Sequence, residues 1–82
     1  MFYNLYWKNR LLVFTWHIKK ELEKLGKYEE FVVYILENGE HIPVSKKQQK
    51  YNAFFKYRKK RICLSYVIHE NKIILIHIKP IK

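Results

Sequence analysis

The 82-residue chain has no aspartate, one cysteine, two glycines and two prolines. Each scarcity excludes something. A lone Cys63 closes no internal disulfide, so the chain is not a disulfide scaffold, and one thiol fits a reducing cytoplasm. Gly26 and Gly39 are the only glycines, which leaves no Gly-rich phosphate loop and no cofactor motif of that kind. His17, His41, His69 and His77 are scattered and lack a second ligand at close spacing, so no metal and no cofactor is expected from the pattern. No apolar run approaches the ~20 residues of a membrane-spanning helix. The opening Met1-Phe2-Tyr3-Asn4-Leu5-Tyr6-Trp7 lacks a basic start and a small-residue cleavage site, and is not read as a signal peptide. The length gives one domain, residues 1–82, with a modest core.

What the chain does have is positive charge. Seventeen Lys and Arg stand against seven Glu, a net charge of +10. Such a charge resists compaction and draws a protein toward polyanions. It is concentrated between His41 and His69, where Lys46, Lys47, Lys50, Lys56, Arg58, Lys59, Lys60 and Arg61 meet no acidic residue. Tyr51, Phe54, Phe55, Tyr57 and Tyr66 are interleaved with them. Cations hold phosphates and aromatic faces stack unpaired bases, so the stretch points to nucleic acid, and to RNA in particular. A solvated Lys-rich edge that keeps strands from aggregating is the plainer alternative.

Residues 1–8 read as a short extended segment and Lys8-Asn9-Arg10 as a turn. Leu11 to Phe14 is a short apolar strand. Thr15 stands where a helix N-cap would, and Trp16 to Leu25 reads as a helix with Ile18, Leu22 and Leu25 on one face and Gly26 as its left-handed end. A second helix runs from about Tyr28 to Glu37, with Phe31, Val32, Ile35 and Leu36 as its buried stripe and Asn38-Gly39 ending it the same way. Its Glu29, Glu30 and Glu37, with no Lys or Arg, make this helix pair a poor reader of a DNA groove. Residues 40–50 read as a loop around Pro43. The period then changes to two. Tyr51 to Tyr57 and Arg61 to Ile68 are strands, with Ile62, Leu64, Tyr66 and Ile68 on one face and Cys63, Ser65 and Val67 on the other. The nearly continuous apolar run from Ile73 to Lys79 reads as a central strand buried on both faces. The expected fold is α+β: two N-terminal helices packed on a twisted antiparallel sheet of three to four strands.

The order of these elements resembles the BrnT-like proteins and their uncharacterised relatives, within the RelE-like group of small toxins. The match rests on Phe14-Thr15-Trp16-His17, on Glu29-Glu30-Phe31-Val32 with Leu36-Glu37-Asn38-Gly39, and on the closing strands Arg61 to Val67 and Ile73 to Ile78. The resemblance implies a metal-independent endoribonuclease toxin of a type II toxin–antitoxin pair, acting on RNA and held inactive by a cognate antitoxin protein. Where the family usually has Ala and Arg after the helix-start His, this chain has Ile18 and Glu21, which reverses a charge beside the implied phosphate site.

Metal-free RNA cleavage needs a base for the 2′-hydroxyl, cations for the phosphate and an acid for the leaving oxygen. His77 is the first candidate acid or base, because it interrupts an apolar strand and alternates with Lys79. His17, in the first turn of a helix near Lys20, is the second. Arg58 and Arg61 offer planar forks for phosphate oxygens, with Lys56 beside them. The expected RNA-binding set is Lys46, Lys47, Lys50, Lys56, Arg58, Lys59, Lys60, Arg61 and Lys79. The plainer alternatives are a half-buried His bonded to a carbonyl, a helix-start packing residue and a solvated hairpin tip. A non-catalytic nucleic-acid-binding protein, or an interaction module that receives an acidic antitoxin-type partner, would use the same face.

Overall fold

The computed structural model describes residues 4–81; the opening of the extended segment expected over residues 1–8 lies outside them. Lys8 and Asn9 take positive φ values of 51° and 63°, the paired left-handed conformation that two-residue hairpin turns favour. They join β1 (Tyr6–Trp7) to β2 (Arg10–Phe14). Thr15 then leaves the strand. Its hydroxyl accepts from the Ile18 N–H at 3.2 Å and donates to the Leu75 carbonyl at 3.2 Å, so the cap of α1 (Trp16–Leu25) is tied to the last strand. Gly26, at φ 70°, ends that helix in the left-handed region as expected.

α2 (Glu30–Asn38) ends differently from the expectation. Gly39 is extended, at φ −83° and ψ 168°. A Cβ at this position would lie 2.6 Å from the Ile35 carbonyl oxygen and 3.0 Å from that of Phe54. Glycine is therefore demanded by the close approach of helix end and strand, not by a left-handed turn.

The sheet corrects the expected fold class. Among the described residues it has six strands, not three to four, and it is mixed rather than antiparallel, in the order β1-β2-β6-β5-β4-β3. β3 (Glu40–Ser45) occupies what reads as a loop. It forms the outer edge and is mostly exposed, so it shows no apolar alternation, and Pro43 is tolerated where one side of the strand has no partner. β4 (Lys50–Tyr57), β5 (Lys60–His69) and β6 (Lys72–Ile81) form the expected antiparallel meander. β2 lies parallel to β6, Leu11 to Phe14 facing Lys72 to Leu75, because the chain returns to β2 only after both helices and the meander. The sheet curls: Trp7 of β1 stacks on His41 of β3 at 5.2 Å and 12°, although their strands lie at opposite ends of the order.

One face of the sheet meets the helices. Ala53, Ile62, Leu64, Tyr66, Ile73, Leu75 and Ile78 are buried there with Ile18 and Leu22 of α1 and Val32, Ile35 and Leu36 of α2. The other face is open, which corrects the expectation that β6 is buried on both sides. A bulge makes this possible. Ser65 pairs with His77 and Tyr66 with Leu75, leaving Ile76 without a partner. Without the extra residue, His77 would share the buried face of Leu75. With it, His77 turns outward and Ile78 returns to the core.

Candidate nucleic-acid interface

Residues directly opposite in a ladder point to the same face. The register therefore lays out the open face as rows across β4, β5 and β6: Lys56–Arg61–Ile81, then Phe54–Cys63–Lys79, then Asn52–Ser65–His77, then Lys50–Val67–Ile74. None of these residues is buried, and none is acidic. The Arg61 guanidinium lies 5.3 Å from the centroid of the Phe54 ring. Ser65 donates its hydroxyl hydrogen to Asn52 Oδ1 at 2.7 Å. Burial pushes the Cys63 thiol above its ordinary pKa, with opposing help from Ser65 and Arg61, so it is a poor nucleophile near neutral pH.

The expected RNA-binding set is thus divided. Lys50, Lys56, Arg61 and Lys79 share the open face. Lys46 and Lys47 sit in the β3–β4 turn at one end of β4, and Arg58 and Lys59 in the β4–β5 turn at the other. Arg58 has φ 57° and lies over the Tyr57 ring at 5.4 Å, beside a helix-side groove also lined by Leu25, Lys27, Lys60 and Ile62. There Lys27 donates to the Tyr57 hydroxyl at 2.7 Å, and this bond, with the Arg58 charge, lowers the Tyr57 pKa. Arg58 and Arg61 therefore rest against different rings, Tyr57 and Phe54. Of the interleaved aromatics, only Phe54 is on the open face. Tyr51 stacks on Tyr66 at 5.5 Å on the helix side, and Phe55 and Tyr57 pack edge-on against Phe31.

His17 and His77, sixty residues apart, meet. β2 stops opposite Leu75, so beyond that point β6 has no strand on its outer side, and α1 lies there instead. Glu21 Oε1 accepts the Ile78 N–H at 3.0 Å, the hydrogen bond that a neighbouring strand would otherwise supply. One turn earlier on the helix, His17 Nε2 lies 3.0 Å from His77 Nδ1, and each nitrogen is 3.5 Å from Glu21 Oε1. At that distance one ring nitrogen can donate to the other, the direction being set by the tautomers. Arg61 is not part of this cluster: it stands four residues along β5 from the Ser65 partner of His77, about 13 Å of strand.

His41 shows the opposite situation. Leu36 O can only accept, so His41 Nε2–H donates to it at 2.8 Å, and Nδ1 accepts the Tyr66 hydroxyl at 2.6 Å. Both nitrogens are committed to the core, and burial, with Tyr51 nearby, pushes the Tyr66 pKa up to about 12. Glu21, which reads as a reversed charge beside the implied phosphate site, is 11% exposed and bonded to the sheet edge. The signal was present as His17 and Glu21 four apart on a helix, which stacks them on one face.

Comparison with protein-family models, with curated proteins and with solved structures finds no match to this chain.

Proposed function

We propose that the protein binds single-stranded RNA across the open face of β4, β5 and β6. The observation that carries this reading is the sidedness of the strands. Their alternate residues leave Lys50, Lys56, Arg61 and Lys79 uncovered, with no acidic residue on any of the three strands to offset them. Phosphates of a strand laid on this face meet those cations. Phe54, with Arg61 against it, offers a plane for an unpaired base. The Asn52–Ser65 pair presents an amide and a hydroxyl to ribose 2′-hydroxyls.

A second reading, metal-independent cleavage of the kind implied by the BrnT-like resemblance, is favoured by His77. The bulge turns its ring onto the same face, in the Asn52–Ser65 row. In that reading His77 takes the 2′-hydroxyl proton as that oxygen attacks the phosphorus, Lys79 meets the charge on the phosphate, and the P–O5′ bond breaks as His17 gives a proton to the departing 5′-oxygen, the proton on His77 passing back to His17 across their contact. Arg58 lies outside it, and a cognate antitoxin would cover the face with an acidic segment. One experiment tests both. Labelled single-stranded RNA is titrated with the protein in EDTA at several salt concentrations. Binding that falls with salt and weakens in Arg61→Ala and Lys79→Ala supports the first reading; each substitution should flatten the log–log salt slope by about 0.7. RNA cut by the parent but left intact by His77→Ala supports the second. No binding at low salt refutes the first, and RNA left intact by the parent refutes the second.

A further inference from the structure

We infer that His17, Glu21 and His77 form a binding site for one divalent transition-metal ion of the zinc class. The inference stands on the geometry of the cluster and does not depend on RNA binding. The three donor atoms are His17 Nε2, His77 Nδ1 and Glu21 Oε1. They lie 3.0, 3.5 and 3.5 Å apart. An ion with tetrahedral bonds of about 2.0–2.1 Å holds its ligand atoms about 3.3 Å apart. The triangle therefore already has the size of one face of such a coordination shell. Among the described residues no other three His, Cys, Asp or Glu donors converge in this way.

The donor set is chemically selective. Two imidazoles and one carboxylate suit zinc and its first-row neighbours, whereas magnesium and calcium prefer oxygen ligands throughout. Three protein ligands with the fourth corner left to water or substrate is the pattern of catalytic rather than structural zinc. Here that corner faces solvent, since the His17 and His77 side chains are 58% and 43% exposed while Glu21 is 11%.

The supports are also in place. His17 and Glu21 are one turn apart on α1, so a single rigid helix sets two ligands. The Ile78 N–H fixes the Glu21 oxygen from behind, and the adjacent residue in β6 is the third ligand. Thr15 holds the start of α1 to Leu75, which fixes the helix against the strand that carries His77. Such outer contacts keep ligating groups aimed at an ion. A cation at the centre takes the place of the hydrogen bond between the two rings. His69 gives the contrast: among the described residues it meets only Glu70, at 3.9 Å, and both are exposed.

The test uses the full chain without a polyhistidine tag. Cobalt(II) is titrated while visible absorbance is followed, and zinc is titrated against a chromophoric chelator. The site predicts one ion per chain, an intense tetrahedral cobalt spectrum bleached by zinc, and a melting temperature raised by zinc. His17→Ala and His77→Ala should each lower affinity roughly tenfold or more, while His69→Ala keeps the affinity of the parent. Circular dichroism establishes that each variant is folded. Where an alanine variant does not fold, Glu21→Gln reads the same site, because its amide oxygen still accepts from Ile78 while the charge is gone; unchanged affinity in Glu21→Gln contradicts the assignment. Absence of cobalt and zinc binding at micromolar concentrations, or equal binding by His77→Ala, overturns it.

Discussion

The two faces of β4, β5 and β6 are made from alternating residues of the same strands, yet they do opposite work. Leu64 is wholly buried among helix residues, and its neighbours Cys63 and Ser65 look outward beside Lys79 and His77. On the helix side each side chain stabilises the fold by leaving water. On the open side a row of cations is held by that rigid support but contributes little to it. The contrast teaches where burial and exposure separate: one residue along a strand is the distance between them, and the Ile76 bulge is the device that moves His77 from the covered face to the open one.

The largest break in this comparison should come from the covered face. Leu64→Ala leaves a cavity under both flanking strands and should cost about 2–5 kcal/mol, measured by urea unfolding. The sheet edge comes next. Glu21→Ala strips the Ile78 N–H of its acceptor and should cost about 1–3 kcal/mol, whereas Glu21→Gln keeps an oxygen there and should cost clearly less.

Tyr66 sharpens the comparison through pH. Its hydroxyl is protonated up to about pH 12 in the fold, above the ordinary value of 10.0. The folded pKa is raised and the neutral form is the one stabilised. Its contribution is therefore complete below pH 10, and is lost as pH rises toward 12. Thermal melts of the parent should fall across that window, and Tyr66→Phe should fall less.

The smallest effect belongs to the open face. Cys63→Ala should change stability by no more than about 0.5 kcal/mol. The same residue reports on occupancy: its thiol should alkylate slowly at neutral pH, and more slowly still with RNA bound, as followed by mass spectrometry.

The helices and the meander were legible because their periods are strong. Ile18, Leu22 and Leu25 recur at helical spacing, Thr15 and Gly26 mark the ends of α1, and Ile62, Leu64 and Tyr66 alternate cleanly. β3 was not legible, since an exposed edge strand needs no apolar alternation and Pro43 imitates a loop. The parallel β2–β6 pairing was hidden for another reason: it joins residues about sixty apart, and nothing in either segment names its neighbour. The apolar run of β6 concealed its own bulge, because Ile74 and Ile76 look like core until pairing with β5 is known.

The candidate site was legible in part. His77 was identifiable as a histidine that interrupts an apolar strand and His17 as one in the first turn of a helix, but their contact depends on the bulge and on where β2 stops. Arg58 and Arg61 look equivalent in sequence and are not. The left-handed turn at Arg58 sends one toward the Lys27–Tyr57 groove, while Arg61 follows the strand onto the open face.

The most direct test of the central claim is the affinity of the parent and of an Arg61→Ala/Lys79→Ala double variant for single-stranded RNA, followed by fluorescence anisotropy from low to moderate salt. Binding to the open face predicts a salt-dependent affinity that the double variant largely loses, with its log–log slope reduced by about 1.4, while its melting temperature stays near that of the parent. Unchanged affinity in the double variant, or a parent that does not bind RNA at low salt, would contradict the account.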